Sequence, residues 1–180
     1  MKKCIIATIV LLSAFMLSAA EKEFNPVWEA KGTRTEFKTY AFGFSENSKE
    51  YNFAFQIKDL KNLMDDPDAM LVCYFDTDNS KKTGRFRNKK GWDLQLNILL
   101  NRRSLSAIVW EEDKIQVSHS FGEGEFSIDT EDDILYLTVN KVLYLKKIKF
   151  GKKFVLFEEL SIGKKIVKSG LEEGIAISLK

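Results

Sequence analysis

Residues 71–98 read LVCYFDTDNSKKTGRFRNKKGWDLQLNI, and the reading of this stretch decides the fold class. Leu71–Phe75 is an apolar run without alternation, the pattern of a strand buried on both faces. It runs straight into Asp76-Thr77-Asp78-Asn79, residues that favour turns because their side chains bond to nearby backbone. A basic loop closes on Thr83-Gly84, and Gly91-Trp92-Asp93 opens a second run. There Trp92, Leu94, Leu96, Ile98 and Leu100 alternate with Asp93, Gln95, Asn97 and Leu99. Two such segments joined by a polar connection predict neighbouring antiparallel strands.

The same period of two recurs along the chain. Tyr51, Phe53, Phe55 and Ile57 alternate with Asn52, Ala54, Gln56 and Lys58. Further runs lie at Thr35–Phe44, Leu105–Trp110, Ile115–Phe121, Ile134–Val139, Phe154–Phe157 and Ile175–Leu179. Helix is confined to a turn or two at Asp59–Met64, stopped by Pro67, and another at Lys141–Leu145. The expected fold is all-β, a two-sheet antiparallel β-sandwich with a jelly-roll-like layout. With two prolines, no linker and no repeat, residues 21–180 read as one domain.

Residues 1–20 read as a signal peptide. Lys2 and Lys3 precede an apolar run from Ile5 to Leu17, and Ser18-Ala19-Ala20 supplies small residues for cleavage. The expectation is a bacterial Sec substrate, periplasmic or secreted, with no membrane-spanning segment in the mature chain. Of the 28 Lys and Arg, two leave with the signal, so 26 face 26 Asp and Glu. A balanced charge argues against a nucleic-acid footprint, which needs a basic excess on one face. Cys4 also leaves, so Cys73 stands alone inside an apolar strand, where a thiol behaves as a small hydrophobe.

Three carboxylates converge on the connection after Phe75. Asp76 and Asp78 share a tight turn, and Asp93 returns at the start of the next strand. Their mutual repulsion must be relieved by solvent, hydrogen bonds or a cation. An oxygen-only set suits a hard cation, and calcium, which takes six to eight oxygens at about 2.3–2.6 Å, fits best. The loop is not an EF-hand: Gly84 falls three residues late and Arg87 stands where the bidentate Glu belongs. The competing reading is that Asp76, Asp78 and Asn79 only form turns.

Taken with Thr83-Gly84 and Gly91-Trp92-Asp93, the Asp76-x-Asp78-Asn79 segment resembles the family 9 carbohydrate-binding modules and their relatives, the DOMON-like β-sandwiches. The resemblance rests on residues 71–98, with Leu135–Leu145 compatible. It departs by Trp92 inside the G-x-D turn and by Leu94 where an aromatic is common. It implies a two-sheet sandwich with a calcium-supported loop and a sheet face that binds a ligand, carbohydrate in some relatives and haem in others.

On the residues themselves, Gln95 and Asn97 put amides on one phase of their strand, and Trp92 and Trp110 are candidate aromatic platforms. These four form the expected ligand site, with a neutral carbohydrate as its best match. Trp92 and Trp110 can equally be core or rim packing. Enzymatic activity is not expected. The one histidine, His119, falls on the apolar phase of its strand, and no nucleophile or nucleotide motif occurs. Glu111-Glu112, Asp132-Asp133 and Glu158-Glu159 read as solvated rims. The alternatives are a domain that docks another exported protein, with a purely stabilising cation, and haem held by His119 with Met64 or Met70.

Overall fold

The computed structural model describes residues 25–30, 39–80, 82–87, 90–112, 114–163, 165–169 and 174–179. Residues 1–20, expected as a signal peptide, and residues 35–38 of the Thr35–Phe44 run lie outside the described residues.

The strands follow one another as β1 (Trp28–Glu29), β2 (Thr39–Glu46), β3 (Glu50–Ile57), β4 (Ala69–Asp76), β5 (Arg85–Arg87), β6 (Lys90–Trp92) and β7 (Leu94–Leu99), then β8 (Ser104–Glu111), β9 (Lys114–Ser120), β10 (Phe126–Glu131), β11 (Ile134–Asn140), β12 (Lys153–Ile162), β13 (Lys165–Ser169) and β14 (Ile175–Ser178). One sheet runs β1-β2-β3-β11-β10, and the other β13-β12-β4-β7-β8-β9, with β14 also on β12. Every described pairing is antiparallel. The result is the expected all-β sandwich.

The core forms because the apolar phases of both sheets face each other. Phe42, Tyr51, Phe53, Phe55, Leu135 and Leu137 come from the first sheet, and Leu71, Cys73, Phe75, Leu94, Leu96, Phe154 and Leu156 from the second. Phenylalanine dominates the contact between layers. Phe53 and Phe75 lie 5.3 Å apart, and Phe42 and Phe154 meet edge-on at 6.3 Å. Such tilted aromatic pairs add to simple area burial. β4 is the central strand that its unbroken apolar run predicts, flanked by β12 and β7.

Helix is as scarce as expected. A short α-helix, Leu60–Asp65, tucks Leu60 and Leu63 into the core and ends before Pro67. A 3₁₀ turn occupies Leu143–Lys147, two residues later than the sequence suggests.

Two expectations need correction. Trp92 does not share a phase with Leu94. Leu94 enters the main core, whereas Trp92 packs with Val72, Tyr74 and Phe157 on the opposite, outer face of the sheet. Asp93 breaks the alternation between β6 and β7, and the β5–β6 hairpin folds back over that face. Glu158 is not a solvated rim either. It is 2% exposed on the core phase of β12, and one carboxylate oxygen accepts the Thr39 amide at 3.3 Å.

Candidate metal centre

β4 ends on Asp76, and the β4–β7 register, which pairs Phe75 with Leu94, sets Asp93 beside it on the outer face. Asp93 keeps the ladder through its backbone: its amide donates to the Phe75 carbonyl at 2.9 Å, and its carbonyl accepts from the Trp110 amide at 2.9 Å. Two strands therefore hold two carboxylates before any loop is considered.

The loop supplies the third and the donors that orient all three. Thr77 donates both its amide (2.8 Å) and its hydroxyl (2.9 Å) to one Asp93 oxygen. The Ser80 amide points between Asp76 and Asp78, 2.9 Å from an oxygen of each. The Thr83 hydroxyl lies within 3.0 Å of both Asp78 oxygens. Asn79 and Gly84 adopt positive φ, 54° and 65°, to turn the chain between these contacts. Asp76, Asp78 and Asp93 each bring one carboxylate oxygen within 4.8 Å of the others.

The electrostatics of this arrangement are unfavourable for three anions. Asp76 is 4% exposed and Asp93 7%. Burial chiefly, with the charges of Asp93 and Asp78 adding, pushes the Asp76 carboxyl up to about 7 against the opposing Ser80 bond. Burial also raises Asp93, less the effect of the two bonds from Thr77. A divalent cation would reverse both shifts, because its field favours the ionised form. Asp78 is exposed, which leaves one side of the cluster accessible.

That side opens into a cleft of about 510 Å³. Asp78, Asp93, Thr83 and Trp110 line it, together with Lys82 and Lys149. The Arg85 guanidinium stacks on the Trp110 ring, 4.4 Å from its centroid. The sequence-predicted Trp110 and two of the three aspartates, Asp78 and Asp93, therefore share one cavity. The part Lys149 takes in this lining was not anticipated, because it arrives from a segment remote in sequence.

The other expected ligand residues sit elsewhere. Gln95 and Asn97 are half-buried on the same outer face, but they bond to each other. The Gln95 amide donates to Asn97 at 2.7 Å, and the Asn97 amide donates to the Ser106 hydroxyl at 3.1 Å. Trp92 has no exposed surface, and its ring centroid is 4.2 Å from that of Tyr74. It is a packing residue and offers no platform.

The residues expected as haem ligands take different places in the fold. His119 lies opposite Ala107, on the core side of β8, with Nε2 3.1 Å from a Glu125 oxygen and its ring edge-on to Phe121. Met70 packs on the outer face, and Met64 packs against the core from the helix.

Among the described residues no helix is long and apolar enough to cross a membrane. No family model, curated protein or solved structure matches the chain.

Proposed function

We propose that this chain is an exported, non-catalytic binding module whose Asp76–Asp78–Asp93 cluster holds calcium and whose ligand is carbohydrate. The observation that carries the cation is the convergence of three carboxylates within 4.8 Å, two of them buried. Their donor set is all oxygen, which suits a hard cation and disfavours the softer metals that take Cys or His. The three side chains provide part of calcium's six to eight oxygens, and backbone carbonyls and water are the usual source of the rest. The carbohydrate class is supported by the resemblance to family 9 modules and by a cleft in which an aromatic ring stands beside hydroxyl and amide groups.

Calorimetric titration with calcium, paired with melting curves in chelator and in calcium, tests the cation. Binding that disappears in Asp93→Asn, with a higher melting temperature in calcium, is expected. Unchanged melting in both solutions would reject it.

A second reading, a domain that docks another exported protein, draws on one specific observation. Gln95, Asn97 and Ser106 already bond to one another, which uses part of their capacity to hold a sugar. Tryptophan fluorescence titrated with oligosaccharides separates the two, since Trp110 lines the cleft. No spectral change with any sugar would favour the docking reading.

A further inference from the structure

The first sheet has an outer face of its own, and it carries a groove of about 290 Å³. Core residues of β2, β3 and β11 occupy the phases of Phe42, Phe53 and Leu137, so the intervening residues point outward. In one row across the strands, Gly43 pairs with Ala54 and Ala54 with Tyr136. In the next, Ser45 pairs with Asn52 and Asn52 with Thr138. The first row is therefore a gap walled by a tyrosine, and the second is a line of hydroxyl and amide groups.

Gly43 is the telling residue. A glycine inside a strand weakens it by roughly 0.5–1 kcal/mol relative to alanine, and such positions mark places where a ligand or another backbone approaches closely. Here no bulge accounts for it, because the β2–β3 register is shifted only between Thr39 and Ala41.

The polar row is uncharged and only partly used. The Thr138 hydroxyl donates to the Asn52 side-chain oxygen at 3.0 Å. This leaves the Asn52 amide protons to donate and the Thr138 oxygen to accept, with the exposed Ser45 hydroxyl able to do either. Among the described residues no Asp, Glu, Lys or Arg lines the groove, in contrast to the cleft beside Asp93, which both lysines and carboxylates line. Paired donors and acceptors without charge are complementary to sugar hydroxyls. The space lies at the lower end of the range for small-molecule sites, about 300–1,000 Å³, and so suits a sugar ring or two and not a large ligand.

We infer that the groove over Gly43 and Ala54 is a binding site for a neutral sugar unit, oriented by Asn52 and Thr138 and bounded by Tyr136. The inference shares its ligand class with the proposed function, but not its location or its dependence on calcium.

Amide-resolved NMR of the purified protein, titrated in turn with neutral gluco-, xylo- and manno-oligosaccharides, tests it. Shifts from at least one series that centre on Gly43, Ser45, Asn52, Ala54 and Thr138, and that persist in chelator, are expected. Gly43→Val should fill the gap with a good strand former and weaken binding by about tenfold or more, with melting little changed. Should that variant fold poorly, Asn52→Ala, which leaves the backbone alone, carries the same expectation. Shifts confined to the Asp78–Trp110 cleft would overturn this site while sparing the carbohydrate class. No shifts with any of the sugars would overturn both. The calcium titration stands apart from either outcome.

Discussion

Gly84 lies directly against the backbone of Trp92: a Cβ placed on Gly84 would overlap the Trp92 carbonyl and come within 2.8 Å of the Asp93 amide nitrogen. Its φ of 65° adds a second requirement, since left-handed backbone costs other residues about 1–2 kcal/mol. Gly84→Ala should therefore lose more than that strain alone, and it should weaken calcium binding by displacing Asp93. Urea unfolding and calcium titration check both effects. A variant with the parent midpoint would mean that the loop does not seat on Trp92.

The raised Asp76 carboxyl gives the cation-free protein a definite pH dependence. Its folded value of about 7 exceeds the ordinary 3.8, so the native state holds the extra proton between these limits. Stability should accordingly fall as pH rises from about 4 to about 7, then level off. Asp93, raised as well, acts in the same direction. Glu125 is held below its ordinary 4.5 by the Gly122 amide and His119, so its contribution is lost only at more acidic pH, outside this window. Melting in chelator at about pH 5 and about pH 8 should show the lower temperature at the higher pH, and Asp76→Asn should flatten the trend. Calcium should restore stability most at the higher pH. Rising cation-free stability across this range would contradict the buried position of Asp76.

What was legible in the sequence was what depends on local chemistry. Leu71–Phe75 announced a central strand because both of its phases are apolar. The aspartate cluster was visible because turn residues and a strand start lie close in sequence. Trp92 was misread because one residue, Asp93, breaks the alternation, and only the β5–β6 hairpin folding back reveals which face the indole takes. Glu158 was misread for a related reason. Its strand alternates correctly, but a carboxylate on the core phase looks solvated until β2 brings the Thr39 amide to it. β10 was not foreseen, since FSIDTE is an edge strand with only a weak apolar phase. The Gly43 groove needed three strands in register before it existed at all.

Cys73 should be inert in the native protein. It has no exposed surface, and burial chiefly, with the nearby Glu158 charge, pushes its thiol well above the ordinary range. Reaction requires thiolate and access, and the fold withholds both. A chromogenic thiol reagent should label it only as the chain unfolds, with rates that track denaturant. Rapid labelling without denaturant would contradict the placement of β4 at the centre of its sheet.

Tyr51 ties the cleft wall to the opposite sheet. Its ring is buried in β3 against Phe150, 5.5 Å away, and its hydroxyl lies 2.8 Å from the Leu145 carbonyl and 2.6 Å from that of Ile148. One proton serves the two acceptors, which sit at the end of the 3₁₀ turn. Burial, with the Glu46 charge adding, raises the hydroxyl above its usual range, so it remains a donor at neutral pH. The segment it anchors continues to Gly151, whose amide donates at 2.8 Å to the carbonyl of Thr77, the residue that orients Asp93. Tyr51→Phe keeps the ring but removes the hydroxyl donor, leaving the Leu145 carbonyl with the Ile148 amide alone, and it should cost about 1–3 kcal/mol in urea unfolding. Hydrogen exchange should quicken at the Ile148 and Gly151 amides before it does so in β3. A parent-like midpoint with unchanged exchange at Gly151 would mean that the ring alone, through its packing, holds this segment in place.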